Sequence, residues 1–153
     1  MRRIPGRAAP HIGVIGAGEC DAELSKLAQA VGRGIAEAGG VLVCGGLGGV
    51  MEAACRGAKS AGGMTIGILP GADRSAANEW VDVAIATGVA EARNLAVINT
   101  ADALIAVGGS YGTLSEIGFA LKAGKKVVGL RTWDIKAIIP AATAEEAVQL
   151  ALD

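Results

Sequence analysis

Apolar runs alternate with segments of helical periodicity along the chain. Short, mostly apolar runs predict buried strands at 11–18, 41–44, 64–71, 81–87, 103–107 and 126–130. Between and after them, apolar residues recur every three or four positions, which predicts helices at 21–38, 50–61, 89–100, 112–123 and 143–152. The strands are continuously apolar rather than alternating, as in a parallel sheet covered by helices on both faces. The pattern therefore predicts a single doubly wound, Rossmann-like α/β domain.

The predicted domain occupies nearly the whole chain. A length of 153 residues allows one domain with a full hydrophobic core, and no linker or low-complexity segment divides residues 11–153. The first ten residues, MRRIPGRAAP, are basic and lack the apolar stretch of a signal peptide. We therefore expect a disordered basic tail at 1–10 and one ligand-binding domain at 11–153.

Charge and cysteine content restrict the kinds of partner. The net charge of −1 provides no basic surface for nucleic acid, and no apolar run reaches the roughly 18 residues that a membrane helix needs. Cys20, Cys44 and Cys55, together with one histidine, show no metal-ligand spacing. We expect a cytoplasmic protein with reduced cysteines, no metal, no nucleic-acid partner and no membrane span.

Two glycine-rich turns with matching spacing follow the second and fifth predicted strands. In VCGGLGGVMEAA (43–54) and VGGSYGTLSEIG (107–118), a strand leads into a Gly-Gly pair, two further residues, another glycine and a helix. Since the carboxyl ends of parallel strands share one edge of the sheet, both turns should face the crevice where such sheets bind ligands. Uncovered backbone and free N–H groups at a helix start suit a phosphate, although glycine also serves simply to allow a turn. The predicted ligand-binding residues of these turns are Gly45, Gly46, Gly49, Gly108, Gly109, Ser110, Gly112 and Thr113.

Side chains beside the turns are candidates for recognition or chemistry. Glu116 shares a helix face with Thr113 and leans back toward the glycine turn, where its alternative role is to complement the helix dipole. Thr113 is either a ligand-binding hydroxyl or a helix cap. Arg93, with Asn94 beside it, either lines the crevice or forms a surface ion pair.

A classical NAD site is not expected. GAGECD (16–21) follows the first strand, but Asp21 stands where the G-x-G-x-x-G fingerprint requires its last glycine. The carboxylates of Glu19 and Asp21 would also lie where a pyrophosphate should bind.

Three segments resemble the LOG superfamily of Rossmann-like proteins. They are CGGLGGVMEAACRGAKSAGGMTIGILPG (44–71), EARN (91–94) and ADALIAVGGSYGTLSE (101–116). The resemblance extends over roughly residues 11–130. Within this superfamily, the sequences A-R-N and G-G-S-Y-G-T-L-S-E are closer to those of the short bacterial proteins that include molybdenum-cofactor carrier proteins.

The superfamily's cytokinin-activating phosphoribohydrolases carry P-G-G-x-G-T-x-x-E and an upstream catalytic arginine. Gly112, Thr113 and Glu116 match G-T-x-x-E, and Arg93 lies at the spacing of that arginine. The chain departs from the pattern at Gly108 (proline in the family), Ser110 (the second glycine) and Asn94 (usually lysine).

The resemblance implies two alternative functions. A carrier would hold a phosphorylated pterin such as molybdenum cofactor, or a nucleotide, as cargo, and would require no cofactor of its own. A hydrolase would cleave the N-glycosidic bond of a nucleoside 5′-monophosphate, with Arg93 and Glu116 as catalytic residues. We favour the carrier, and nothing in the sequence supports the pyridoxal-phosphate chemistry implied by the "lysine decarboxylase" name of some relatives. The family also implies a homodimer or higher homo-oligomer, which we expect to form through helix faces rich in small residues.

Overall fold

Within residues 9–153, which are those that the structure (a computed structural model) describes, seven parallel strands form one sheet. The strands are β1 (His11–Gly16), β2 (Val41–Cys44), β3 (Met64–Leu69), β4 (Val83–Ala86), β5 (Ala103–Val107), β6 (Lys126–Leu130) and β7 (Ile139–Pro140). Their order across the sheet is β4-β3-β2-β1-β5-β6-β7, and every neighbouring pair is parallel. The sequence-based prediction of a doubly wound α/β fold is confirmed.

Five α-helices connect or follow these strands. They are α1 (Ala22–Glu37), α2 (Val50–Ser60), α3 (Arg93–Thr100), α4 (Tyr111–Lys122) and α5 (Ala144–Leu152). The side chains of Asp21 and Thr143 cap α1 and α5 by accepting backbone N–H hydrogen bonds at 2.8 and 3.1 Å. No helix within residues 9–153 is long and apolar enough to cross a membrane.

The sheet separates two hydrophobic layers. In β1, Ile12 and Val14 point into the layer beneath α1, α2 and α5, whereas Ile15 points into the layer beneath α3 and α4. β5 divides in the same way, with Ile105 on the first side and Leu104 on the second. Burial on both faces explains why the strand sequences are continuously apolar.

The structure differs from the prediction at several element ends. The final short strand, β7, was not predicted, because two residues carry no periodicity and one of them is Pro140. The segment predicted as a strand at 81–87 pairs only over Val83–Ala86. Residues 1–8 of the predicted basic tail lie outside the described residues.

The strand order places a crevice beside β1. The chain moves outward from β1 through β2, β3 and β4, and then returns to pair β5 with the other edge of β1. The carboxyl ends of β1, β2 and β5 therefore meet where the strand order reverses. This is the place where open parallel sheets bind their ligands.

Candidate functional site

The turn between β5 and α4, formed by Gly108, Gly109 and Ser110 and called here the α4 turn, leaves a helix start open. Both glycines have positive φ angles, 59° and 109°, which are costly for residues with side chains. Ser110 is the N-cap of α4 but makes no side-chain cap hydrogen bond. The first backbone hydrogen bond of the helix is donated by the Leu114 N–H to the Ser110 carbonyl at 3.0 Å.

Three backbone N–H groups are consequently available at this helix start. Those of Tyr111, Gly112 and Thr113 donate to no acceptor in the described part of the chain. Free N–H groups and the positive end of the helix dipole together favour an anion. A side chain added at Gly112 would meet nothing within 4 Å, so the space above the turn is open.

The turn between β2 and α2, Gly45 to Gly49, is called the α2 turn and is more enclosed. The Gly46 carbonyl accepts the Asn78 N–H at 2.9 Å, and the first N–H of α2, that of Val50, donates to the Ala17 carbonyl at 2.9 Å. Gly45 and Gly46 are buried, and Gly49 packs against the backbone that follows β1. The two turns thus share sequence spacing but differ in exposure.

The two turns also differ in where the following helix begins. Gly49 lies outside α2 as its N-cap, whereas Gly112 lies inside α4, which begins at Tyr111 rather than at the predicted residue 112. The α4 turn is therefore shorter than the α2 turn.

A segment that sequence analysis did not single out holds the α4 turn in place. The Thr132 hydroxyl donates to the Gly108 carbonyl at 2.7 Å, and the Trp133 indole N–H donates to the Ser110 carbonyl at 3.0 Å. Both residues follow β6, whose carboxyl end lies at the same sheet edge. Their position after a strand of a parallel sheet was the available clue, together with the scarcity of tryptophan in this chain.

Arg93 is buried at the start of α3 and bonds to protein acceptors. Its Nε donates to the Ile68 carbonyl at 2.9 Å, one terminal nitrogen donates to the Gly45 carbonyl at 3.4 Å, and the other donates to the Asn94 Oδ1. Only 9% of the residue is exposed, which excludes the surface ion pair considered above. Arg93 therefore ties the ends of β2 and β3 to the start of α3.

Glu116 and Arg93 line one small cavity. Its volume is about 50 Å³. Besides these two residues, its lining includes Asn94, Gly16 and Gly45, together with the apolar residues Val14, Ile15, Met51 and Val97. No ion pair within 4 Å joins Arg93 to Glu116 in the described part of the chain.

The Glu116 carboxyl has an unusual proton affinity. Burial raises its pKa to about 7, the nearby Arg93 charge opposes that rise, and the Glu91 carboxylate adds to it. Around neutral pH this carboxyl can therefore either donate or accept a hydrogen bond. This behaviour goes beyond the dipole-complementing role that was the alternative for Glu116.

Thr113 is buried in the first turn of α4, and only 4% of the residue is exposed. Its side chain lies against Gly109, and its hydroxyl forms no hydrogen bond with another described residue. The capping alternative is therefore excluded, and the hydroxyl keeps its hydrogen-bonding capacity next to the α4 turn.

The structure thus brings most of the predicted site residues to one edge, in two adjoining groups. The open α4 turn contributes Gly108, Gly109 and Ser110, and the first turn of α4 adds Gly112 and Thr113. The cavity contributes Gly45, Arg93, Asn94 and Glu116. Gly46 and Gly49 lie apart from both, against the segment that contains Asn78 and against the backbone that follows β1.

Comparisons with known proteins show which proteins this chain is similar to. The molybdenum cofactor binding protein of the phototrophic bacterium Rippkaea orientalis superposes with a TM-score of 0.89 and 39% sequence identity, over 94% of this chain and 96% of that one. The molybdenum cofactor carrier protein of Chlamydomonas reinhardtii gives 0.86 and 37%, over 93% and 95%. An uncharacterized protein of Archaeoglobus fulgidus is 54% identical over 121 residues, which are 79% of this chain and 80% of the relative.

A family model covers nearly the whole domain. The model of the SLOG cluster4 family matches residues 9–152. The glycine turns and the EARN segment indicated a resemblance to LOG-type proteins and to molybdenum-cofactor carriers. This resemblance is confirmed. The chain belongs to the SLOG cluster4 family.

Proposed function

We propose that this protein is a carrier that binds a phosphorylated pterin, such as molybdenum cofactor, at the carboxyl edge of its sheet. The observation that carries the proposal is the open start of α4, where three backbone N–H groups and the Thr113 hydroxyl have no acceptor in the described residues. Relatives with 39% and 37% identity over almost their whole length are a molybdenum cofactor binding protein and a molybdenum cofactor carrier protein.

The phosphate is assigned to the α4 turn. Hydrogen bonds from several N–H groups to a charged acceptor are individually stronger than those between neutral groups. The helix dipole adds a favourable field at the same point. Because Gly112 has no side chain and nothing within 4 Å of the space a Cβ would occupy, a phosphate can approach the backbone directly.

The pterin ring is assigned to the space outside the Glu116 cavity. A volume of about 50 Å³ is of the order of one or two water molecules and excludes a bicyclic ring. Glu116 and Asn94 would therefore meet only the polar edge of the ring. A pterin edge carries both donors and acceptors, and a carboxyl with a pKa of about 7 can pair with either kind.

A nucleoside 5′-monophosphate phosphoribohydrolase is the second candidate. It is favoured by the shared cavity of Arg93 and Glu116, because a carboxyl with a pKa near 7 also suits general acid–base catalysis. In that function the phosphate would occupy the same α4 turn. Glu116 would activate water or stabilise the cationic ribosyl group, and Arg93 would orient the ribose and the Glu116 carboxylate.

One pair of measurements separates the two functions. The protein, purified from cells that synthesise molybdenum cofactor, is expected to carry molybdenum and a pterin, detected by elemental analysis and by fluorescence after oxidation. A Gly112→Ala variant should carry less, since its new methyl group covers the α4 turn. Gly118→Ala, in the same helix but away from the turn, is the matched control.

The second measurement incubates the protein with AMP and follows adenine by chromatography. We expect no release. Steady adenine release that is proportional to protein and lost in Glu116→Gln, together with absence of bound pterin, would establish the hydrolase instead. The expected homodimer or higher oligomer is a separate part of this proposal, and light scattering of the purified protein tests it.

A further inference from the structure

Two aromatic rings meet beside the α4 turn. Tyr111 is the first residue of α4, and its ring centroid lies 5.8 Å from that of Trp133, with the planes inclined at 37°. The chain has only four aromatic residues (Trp80, Tyr111, Phe119 and Trp133), so half of them are concentrated at this turn.

The pair is held in place although little of it is buried. Tyr111 is 79% exposed, so burial in the core does not explain its position. The Trp133 indole is fixed by its hydrogen bond to the Ser110 carbonyl, and its ring packs partly against the core beneath α4. Trp133 therefore fixes the position of the pair, and Tyr111 exposes its ring to solvent at the first residue of α4, next to the free N–H groups of the helix start.

A cavity that includes polar side chains adjoins Trp133. A cavity of about 240 Å³ opens beside Trp133 and is lined in part by Arg131, Thr132 and Asp134. Unlike the 50 Å³ cavity at Glu116, this depression has room for substituents of a flat ring.

We infer that Tyr111 and Trp133 form a stacking surface for a flat, bicyclic nitrogen heterocycle whose attached phosphate occupies the α4 turn. This inference rests on the proposed function and adds to it the part of the protein that recognises the ring. Stacking is the physical reason: every such heterocycle has a π face, and base–aromatic stacking strengthens binding roughly 5- to 150-fold. Purines and pterins share this chemistry.

Calorimetric titration with three compounds tests the inference. Ribose 5-phosphate has the phosphate without a ring, AMP adds a purine, and neopterin monophosphate adds a pterin. We expect the wild-type protein to bind both ring compounds more tightly than ribose 5-phosphate. Tyr111→Ala should remove roughly 5- to 150-fold of that preference and leave ribose 5-phosphate binding unchanged. Phe119→Ala, which removes another exposed ring of α4 away from the turn, should change nothing.

Fluorescence provides a second readout that does not depend on folding of the Tyr111 variant. In Trp80→Phe, Trp133 is the one tryptophan left, and we expect AMP and neopterin monophosphate to quench its emission whereas ribose 5-phosphate does not. The two ring compounds also distinguish a purine ligand from a pterin ligand, because the compound that binds more tightly identifies the natural ring.

The possible failures are separable. If ribose 5-phosphate binds as tightly as the ring compounds, or if Tyr111→Ala keeps the preference, the stacking surface is wrong and the phosphate site stands. If none of the three binds, the proposed function fails and this inference with it. If Tyr111→Ala instead changes the molecular mass in light scattering with ligand binding intact, the pair is a subunit contact and the inference is wrong.

Discussion

Replacing Glu116 with glutamine should change how the stability of this protein depends on pH. The pKa of the Glu116 carboxyl is about 7 in the folded protein, against an ordinary value of 4.5, and burial is the main cause. Between these two values the native state binds more protons than the unfolded state. The free energy of unfolding should therefore fall as pH rises through that range.

The size of the effect follows from the two pKa values. Below pH 4.5 the carboxyl is neutral in both states, and above pH 7 the native state holds a partly buried charge. With these values, wild type should lose about 2.5 kcal/mol of stability relative to Glu116→Gln between pH 5 and pH 8. Solvent contact of the half-buried side chain makes this the upper end of the expected change.

Urea unfolding of both proteins at pH 5, 6, 7 and 8 measures the difference. Glu91→Gln removes a charge that raises the Glu116 pKa, so it should move the transition to lower pH. Glu145→Gln removes the same charge from α5 and should leave the Glu116 transition in place. A wild-type minus Glu116→Gln difference that stays constant across this pH range would refute the argument.

Three further substitutions test individual contacts. Thr113→Val keeps the shape of a buried side chain whose hydroxyl has no partner among the described residues, so the free energy of unfolding should change by less than about 1 kcal/mol. Binding of neopterin monophosphate, measured by titration, should weaken by about 1–3 kcal/mol. Gly109→Ala should lower the free energy of unfolding in urea by about 1–3 kcal/mol, because φ is 109° and the new methyl group would press on Thr113. Gly118→Ala should raise it by about 0.5–1 kcal/mol through helix propensity, and equal effects of the two variants would contradict a strained turn. Arg93→Lys should lower the free energy of unfolding by at least about 2 kcal/mol, since one ammonium group cannot replace the guanidinium that donates to two backbone carbonyls and an amide oxygen. A loss below about 1 kcal/mol would show that these three hydrogen bonds are not needed for stability.

The fold could be predicted because its causes are local. Continuous apolar strands that alternate with amphipathic helices lead to a parallel sheet with two covered faces, whatever the detailed packing. The meeting of Arg93, Glu116 and Gly45 around one cavity followed from the same reasoning, since residues at the carboxyl ends of parallel strands share one edge. The strand β7 was not predicted, because its two residues are held in the sheet by pairing with β6 and show no sequence pattern of their own.

The different surroundings of the two glycine turns could not be predicted. They depend on single contacts between residues far apart in the chain, such as the Ala17 carbonyl that occupies the first N–H of α2. The hydrogen bonds from Thr132 and Trp133 to the α4 turn are of the same kind. Spacing in the sequence gives the path of the backbone, but exposure depends on which other segment packs against it.

The protonation state of Glu116 in a site occupied by phosphate would favour one of the two proposed functions. A hydrolase of this kind needs the carboxylate ionised, because the charge that develops on the ribosyl group is positive. In the proposed carrier, a phosphate bound at the neighbouring α4 turn would raise the pKa of Glu116 from its value of about 7, so the carboxyl of the loaded site would be mainly neutral at neutral pH. The Arg93 charge opposes this rise, as it does without a ligand, but Arg93 donates to Ile68, Gly45 and Asn94 and forms no ion pair with Glu116 within the described residues. A neutral carboxyl that donates a hydrogen bond to a ring, beside a phosphate that it does not repel, is suited to retaining a ligand rather than to cleaving one.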